Sequence, residues 1–231
     1  MNLPYASNQI VCAKNFEELV SLPFYGAMNA ICWPRKLPGD FGEIVSKTAS
    51  DENIKTIYEA ELCELVLSEQ GQLAREVLLS DLKLLEEHGA SPILNVIRCY
   101  ERDDACLFFP TDVYSFHVDR STVPADTFLC TYYGAPSEII PNPEAQQKVL
   151  VPEIRNELKK LYRGADEGFE SFLREHFFDL HYSARPGATV TSLGLGNLCR
   201  LAVDYPGSKV SPCVHRAPKE EAGQHRLLMI C

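Results

Sequence analysis

The feature that most constrains the fold is a series of short apolar runs that begins at Ser91 and continues to the end of the chain. Five runs follow each other closely and are separated by Asp, Pro and Gly: PILNVIRCY, ACLFF, VYSFHV, TFLCTYY and SEII. Four more come after a charged stretch: ATVTSLGL, LCRLAV, KVSPCVH and HRLLMIC. Short runs between turn residues predict β-strands, and this number of strands is about what an eight-stranded jelly roll needs.

The first ninety residues have a helical pattern instead. Three stretches carry it: NFEELVSL, GDFGEIVSK and SEQGQLAREVLLSDLKLLEEHG. In the third, apolar residues recur at helical spacing and Gly89 is a candidate C-cap. The recurring residues are Leu73, Val77, Leu78, Leu82 and Leu85.

A second helical pattern, PEIRNELKKLYRG followed by DEGFESFLREHFF, interrupts the strands at about 150–178. We therefore predict one domain, 1–231, of class α+β and mainly β. Its N-terminal part at 1–90 is mainly helical. Its β-core at 91–231 is a double-stranded β-helix, or jelly roll, with inserted helices.

Composition limits the classes of partner. The chain has 22 basic and 32 acidic residues, a formal charge of −10, and no cluster of Lys and Arg. Nucleic acid is therefore not an expected partner, because phosphate binding needs concentrated positive charge. No apolar run approaches the ~20 residues of a membrane helix, and the start does not read as a signal peptide. We expect a cytoplasmic protein without a membrane partner.

The cysteine pattern also fits a cytoplasmic protein. There are nine of them, an odd number, and no two form a CxxC pair. Several lie inside apolar runs, such as NVIRCY and TFLCTYY. This pattern predicts reduced, mostly buried thiols rather than a disulfide framework or a zinc knuckle.

A histidine and an aspartate stand two residues apart in YSFHVDRS, at positions 117 and 119. If this stretch is extended, His117 and Asp119 lie on the same face, although a surface histidine and a turn-starting aspartate are the ordinary alternative. His215 in SPCVHRAP is a third candidate, with a satisfied histidine at a strand end as its alternative. Two imidazoles and a carboxylate form the set that binds one face of Fe(II), and zinc, manganese or nickel also suit it.

Arg226 lies in the last apolar run, HRLLMIC, eleven residues after His215. Under strand alternation it shares a face with Leu228 and Ile230. A guanidinium on an apolar inner face is costly without a carboxylate, so an inward Arg226 that lacks a protein partner predicts an anionic ligand. The opposite register, with His225 inward and Arg226 outward, satisfies the alternation equally well.

The ordered set of HVD at 117–119, the distal His215 in VHRAP and the following Arg226 resembles the Fe(II)/2-oxoglutarate-dependent oxygenases. The resemblance covers about Ser91–Cys231. TFLCTYYGAPSEIIPN is similar to the strand and loop that follow the HxD motif in that family. GAMNAICWPRKLPGDF is more loosely similar to a bacterial branch whose members lack an assigned substrate.

The resemblance implies an enzyme that uses Fe(II) and 2-oxoglutarate. Such an enzyme consumes O2, releases succinate and CO2, and hydroxylates a small molecule or a protein side chain. His117, Asp119 and His215 would hold the iron. Arg226 would pair with the far carboxylate of 2-oxoglutarate.

The resemblance also implies a hydroxyl that helps to hold the co-substrate. Many members place Ser or Thr two residues after the arginine, where this chain has Leu228, so Thr131 or Tyr133 would serve here. Residues in neighbouring strands and in the Pro-rich loop are candidate substrate contacts, with core packing or an exposed position as the alternative. They are Arg98, Tyr114, Glu138 and Asn142.

Two other functions fit the same pattern. A cupin-type metalloenzyme would use the jelly roll and the metal without 2-oxoglutarate, and Arg226 would then be structural or bind the substrate directly. A non-catalytic module would keep only a ligand-binding pocket. Fold alone does not separate these alternatives from an oxygenase.

Overall fold

A computed structural model describes residues 8–102, 110–177, 181–219 and 223–231. Within them are the strands β1 (Ile10–Cys12), β2 (Ala30–Trp33), β3 (Ile54–Ile57), β4 (Ile93–Ile97), β5 (Asp126–Tyr133), β6 (Glu138–Ile139), β7 (Ala145–Gln147), β8 (Tyr182–Ala184), β9 (Thr191–Ser192), β10 (Leu198–Ala202), β11 (His215–Arg216) and β12 (Arg226–Ile230). The helices are α1 (Phe16–Ser21), α2 (Phe41–Thr48), α3 (Glu59–Glu64), α4 (Glu69–Glu87), α5 (Pro152–Leu161) and α6 (Phe169–His176).

Seven of the strands form one sheet in the order β1-β2-β10-β5-β12-β4-β3. Neighbouring strands within this sheet are antiparallel, except for the parallel pair β1 and β2. A second sheet has the order β11-β6-β9, and β7 pairs with β8. The large sheet therefore brings strands from both ends of the chain side by side.

The large sheet has a different layer on each face. Successive residues of a strand point to opposite faces, so Phe128, Cys130 and Tyr132 of β5 pack on one side and Leu129 on the other. The first side is covered by α1 to α4, which contribute the largest apolar cluster. On the second side, residues of the large sheet share a core with Ile139, at the end of β6, and with residues near β9 and β11.

Helix α4 shows why the N-terminal region packs as it does. Ser68 caps its N-terminus by accepting a hydrogen bond from the Gly71 backbone N–H at 3.1 Å. Beyond its C-terminus Gly89 has φ of +91°, a conformation that favours glycine. The predicted apolar residues Leu78 and Leu82 are buried against the sheet, as is Leu85. The predicted helix and its glycine cap are both confirmed.

The N-terminal region is less purely helical than predicted. Besides its four helices, it supplies β1, β2 and β3 to the large sheet. These strands are three or four residues long, too short for the alternation of apolar and polar residues to identify them. The predicted run ACLFF lies outside the described residues. Helices α5 and α6 lie within the predicted insertion and pack together through Leu158, Phe169 and Leu173.

The chain thus has the predicted α+β class, with sheets at its centre and several helices around them. The sheets do not close on one another, so the jelly-roll arrangement remains a prediction. No helix among the described residues is both long enough and apolar enough to cross a bilayer.

One pair of cysteines contradicts the prediction of reduced thiols. Cys32 of β2 and Cys199 of β10 are directly opposite each other, are fully buried and form a disulfide. They are 167 residues apart in sequence, so the strand pairing that brings them together has no local signal such as a CxxC motif. The other cysteines within the described residues are free: Cys12, Cys63, Cys99, Cys130, Cys213 and Cys231.

Candidate metal centre

The segment that carries His117 and Asp119 is extended, but it is joined to its neighbours by single bridges rather than by a long strand. His117 and His215 exchange both backbone hydrogen bonds, each at 2.9 Å. Phe116 and Val118 point into an apolar cluster, whereas His117 and Asp119 line a cavity on the opposite side. The predicted shared face of these two residues is therefore confirmed.

His117, Asp119 and His215 meet at one point. One ligand atom from each lies within 4.8 Å of the others. The rings of the two histidines have their centroids 4.5 Å apart. Nε2 of His215 is 3.6 Å from Oδ2 of Asp119. These distances are short enough for one metal ion to bridge all three side chains.

Each histidine ring is fixed by a backbone carbonyl two residues before it. Nδ1 of His117 lies 2.7 Å from the Ser115 carbonyl oxygen, and Nδ1 of His215 lies 3.1 Å from that of Cys213. A carbonyl only accepts, so Nδ1 carries a proton in both rings, and the neutral form of each ring has its lone pair on Nε2. This outer hydrogen bond is the usual support of a metal-binding histidine.

The ionisation states also suit a metal. Burial lowers the pKa of His117 to about 4, and the neighbouring His215 adds to the effect. Burial alone would raise the pKa of Asp119, but His215 and a hydrogen bond from the Thr127 hydroxyl lower it overall. At neutral pH the ring of His117 is uncharged and Asp119 is a carboxylate, the forms that coordinate metals.

Arg226 lines the same cavity, which has a volume of about 200 Å³. Its side chain is turned inward and the residue is only 2 % exposed, which settles the register that the sequence left open. Its guanidinium donates to three hydroxyl groups: Ser137 at 3.1 Å, Tyr100 at 3.3 Å and Thr131 at 3.4 Å. The hydroxyls hold the arginine head in a fixed place in the cavity wall.

Two candidate co-substrate contacts lie in different places. Thr131 is buried beside the guanidinium of Arg226. Tyr133 is 41 % exposed, and its ring lies beside Gly42 at the start of α2. Alternation along β5 would put both on the inner face, but the pairing of β5 with β12 shifts register between Leu227 and Leu228. The structure therefore brings Thr131, but not Tyr133, into contact with Arg226.

The four candidate substrate contacts lie outside the cavity lining. Arg98 is exposed and donates to the Asn53 side chain at 2.6 Å. Glu138 forms an ion pair with Arg216 at 2.7 Å. Tyr114 is buried and accepts from the backbone N–H of Tyr100 at 2.7 Å.

Asn142 has a structural position as well. Its amide donates to the Pro212 carbonyl at 2.9 Å and accepts from the Asn29 side chain at 3.0 Å. Its backbone N–H donates to the Gln9 side chain at 3.1 Å. These bonds tie the loop after β6 to the N-terminal region and use both the oxygen and the amino group of the Asn142 side chain.

Several residues at the site have no clear signal in the sequence. Tyr100 and Ser137 reach Arg226 from the ends of connecting segments, where side chains no longer alternate between two faces as they do in a strand. Thr127 could have been found, because it precedes Thr131 by four residues on the same face of β5. Asn95 lines the cavity from β4, inside a run that otherwise reads as apolar.

Comparisons with known proteins do not assign the chain to a family. A scan of family models and searches of curated proteins and solved structures found no match. The His117–Asp119–His215 group and the cavity that it lines are therefore the basis on which a function is assigned.

Proposed function

We propose that this protein is an Fe(II)- and 2-oxoglutarate-dependent oxygenase that hydroxylates its substrate and releases succinate and CO2. One observation carries the proposal. A single cavity of about 200 Å³ is lined both by His117, Asp119 and His215 and by the buried Arg226. A metal-binding end and a guanidinium in one cavity match a co-substrate that has a chelating end and a carboxylate end.

The residues fit an iron ion. Both histidines are in the tautomer that leaves Nε2 available, and the carboxylate is ionised at neutral pH. Three protein ligands leave coordination positions open for other molecules. His215 is buried, and the apolar residues Leu129 and Leu228 of the lining would shield a bound ion from bulk water.

The residues also fit 2-oxoglutarate. Thr127 contacts Asp119 and Thr131 contacts Arg226, and the two threonines are four residues apart on β5, or about 13 Å. Asp119 and Arg226, which these threonines contact, line the same cavity. The hydroxyls of Tyr100, Thr131 and Ser137 surround the guanidinium and would supply the hydroxyl that Leu228 does not.

In this proposal the iron, once bound with 2-oxoglutarate, supplies the oxidative chemistry. The protein's residues bind and orient the reactants. Arg226 holds the far carboxylate by charge-assisted hydrogen bonds, and this sets the direction of the co-substrate in the cavity. Thr127 keeps the Asp119 carboxylate in place through its hydroxyl. Ser115 and Cys213 hold the imidazoles through their carbonyls.

We extend the proposal to the fold. Residue Phe116 bridges to β8 and His117 bridges to β11, so these bridges connect the pair β7 and β8 to the sheet β11-β6-β9. This combined layer shares a core with the large sheet. We interpret the two layers as an open, distorted double-stranded β-helix within one domain, since β1 to β3 belong to the same large sheet as the C-terminal strands.

The test is calorimetric titration of 2-oxoglutarate into the chain loaded with Mn(II), which mimics Fe(II) without turnover. We expect binding to the unmodified chain and affinity about 10- to 100-fold lower for Arg226→Gln, because a charge-assisted pair is lost. Arg98→Gln, which removes an exposed arginine outside the cavity, is the matched control and should bind normally. Equal affinity of Arg226→Gln and the unmodified chain would refute the role assigned to this arginine.

A further inference from the structure

One wall of the cavity is apolar and differs from the metal and arginine ends. It is formed on β3, β4, β5 and β12 by Ile54, Ile97, Leu129, Leu228 and Ile230. At its edge Ile54 is 43 % exposed. Apolar side chains that line a cavity and reach its rim form a surface that binds apolar groups.

Asn95 is the amide in this wall. Its neighbours Leu94 and Val96 pack into the core beneath the helices, so alternation along β4 turns Asn95 towards the cavity, which it lines. The Thr56 hydroxyl donates to Oδ1 of Asn95 at 2.9 Å. This bond fixes the orientation of the amide and uses its acceptor.

The amino group of Asn95 is therefore a hydrogen-bond donor that is available to a ligand. Among the residues that the structure describes, none accepts a hydrogen bond from its Nδ2 atom. An amide donor that is held in place in an apolar wall selects a ligand with an oxygen acceptor, because a ligand without one leaves the donor unsatisfied.

The charges of the cavity restrict that ligand further. Within the described parts of the lining, Asp119 is the one carboxylate and Arg226 the one guanidinium. In the proposed function both are engaged, by the metal and by 2-oxoglutarate. A second charged group in the ligand would meet no further opposite charge among the described lining residues, which is unfavourable in a partly buried site.

We infer that the primary substrate presents an aliphatic group with an uncharged carbonyl to this wall, and that Asn95 donates a hydrogen bond to the carbonyl oxygen. The aliphatic group packs on Ile54, Leu228 and Ile230. This inference rests on the proposed function, whose oxidative step would act on a carbon of that aliphatic group. It assigns Asn95 as a specificity-determining residue.

The test uses 4-methylpentanamide as a probe and protonated 4-methylpentan-1-amine as the charged analogue with the same alkyl group. Their dissociation constants are measured by NMR titration of the full chain, with and without saturating Mn(II) and 2-oxoglutarate. We expect the amide to bind in the millimolar range, as its size allows, and at least about fivefold more tightly than the amine.

Asn95→Asp is the informative variant, since its carboxylate still accepts from Thr56 but has no amino group to donate. We expect it to weaken amide binding about fivefold or more and to abolish the preference over the amine. Asn15→Asp is the matched control. Asn15 caps α1 by accepting from the Glu18 backbone N–H at 2.8 Å, a role that aspartate also fills. Its affinities should be unchanged.

The outcomes separate the two proposals. If 2-oxoglutarate binds but the amide shows no dependence on Asn95, the inference is overturned and the oxygenase proposal stands. If 2-oxoglutarate does not bind but the amide binds through Asn95, the oxygenase proposal fails and the aliphatic carbonyl site is supported on its own. A stronger binding of the amine than of the amide would also overturn the inference.

Discussion

Each histidine of the candidate metal centre is oriented by the chain that carries it. The carbonyl two residues earlier accepts from Nδ1 in both cases, so the extended backbone that places the ring also sets its tautomer. His117 and His215 then face each other because their residues exchange both backbone hydrogen bonds. The pairing of these two short segments therefore positions two of the three candidate metal ligands together.

Thr127 is the residue whose replacement tests the support of the third ligand. Its hydroxyl donates to Asp119, and loss of such an outer contact lowers metal affinity by about 10- to 100-fold in comparable sites. We expect Thr127→Val to show a loss of this size in a competition titration with a chromophoric chelator. Thr191→Val on β9 is the control and should retain full affinity. Unchanged affinity in Thr127→Val would mean that Asp119 needs no support.

The lowered pKa of His117 predicts how stability depends on pH. Burial and His215 bring it to about 4, against an ordinary value of 6.5. Between these values the unfolded chain binds more protons than the folded one, so the metal-free protein loses stability as pH falls from about 6.5 towards 4. We expect His117→Gln to lose less stability over this range in urea denaturation at pH 7 and pH 4.5. Parallel losses in both proteins would contradict the assignment.

At the scale of elements, a buried ion pair connects α4 to the sheet. Arg35, in the segment after β2, makes two hydrogen bonds to Asp81 of α4, at 2.6 and 2.8 Å. Tyr132 of β5 donates to the same carboxylate at 2.6 Å. Burial raises the pKa of the adjacent Cys130 thiol to about 12, so this thiol stays protonated and inert.

Removal of one partner of this pair should be costly. Asp81→Ala leaves the Arg35 guanidinium buried without its carboxylate, and we expect it to destabilise the protein by about 3–5 kcal/mol. The measurement is the free energy of unfolding from urea denaturation. Glu87→Ala is the control in the same helix, because its pair with Lys83 is exposed and contributes at most about 0.5 kcal/mol. A similar small effect in both variants would contradict the structural role of Arg35 and Asp81.

The elements differ in how well sequence predicts them. Helix α4 was predictable because 19 residues carry a repeated apolar stripe between a serine cap and a glycine. Asp81 lies inside that stripe, and its tertiary contact with Arg35 is what makes a charged residue fit a buried position. Strands β1 to β3 are too short to show a period, and their place in the sheet depends on partners far along the chain.

At the scale of the molecule, the disulfide Cys32–Cys199 connects the N-terminal strands to the C-terminal half. It closes a loop of 167 residues, and crosslinks of long loops stabilise proteins by about 2–5 kcal/mol. We expect the double variant Cys32→Ala, Cys199→Ala to unfold at lower urea concentration, and dithiothreitol to lower the midpoint of the unmodified chain but not of the variant. Peptide mapping without reduction that found both thiols free would contradict the pairing.

The candidate site illustrates what long-range assembly adds to sequence. His117, Asp119, His215 and Arg226 were predictable because their residue types and order suggest a ligand set. Their meeting at one site was not predictable, because it depends on strand pairing across about a hundred residues. The contacts from Tyr100 and Ser137 to Arg226 depend on long-range pairing in the same way, and so does the position of Asn95 in the lining of the cavity. The candidate substrate residues Arg98 and Glu138 instead have partners outside the cavity.

The most direct test of the account is anaerobic titration of the Fe(II)-loaded protein with 2-oxoglutarate, followed by visible absorption. We expect a weak metal-to-ligand charge-transfer band, because the keto acid end of 2-oxoglutarate would chelate the iron, and we expect it to saturate with one 2-oxoglutarate per iron. Asp119→Ala should lose the iron and the band together, whereas Arg98→Gln should keep both. Bound iron without any band on addition of 2-oxoglutarate would contradict the account and favour a cupin-type metalloenzyme that does not use this co-substrate.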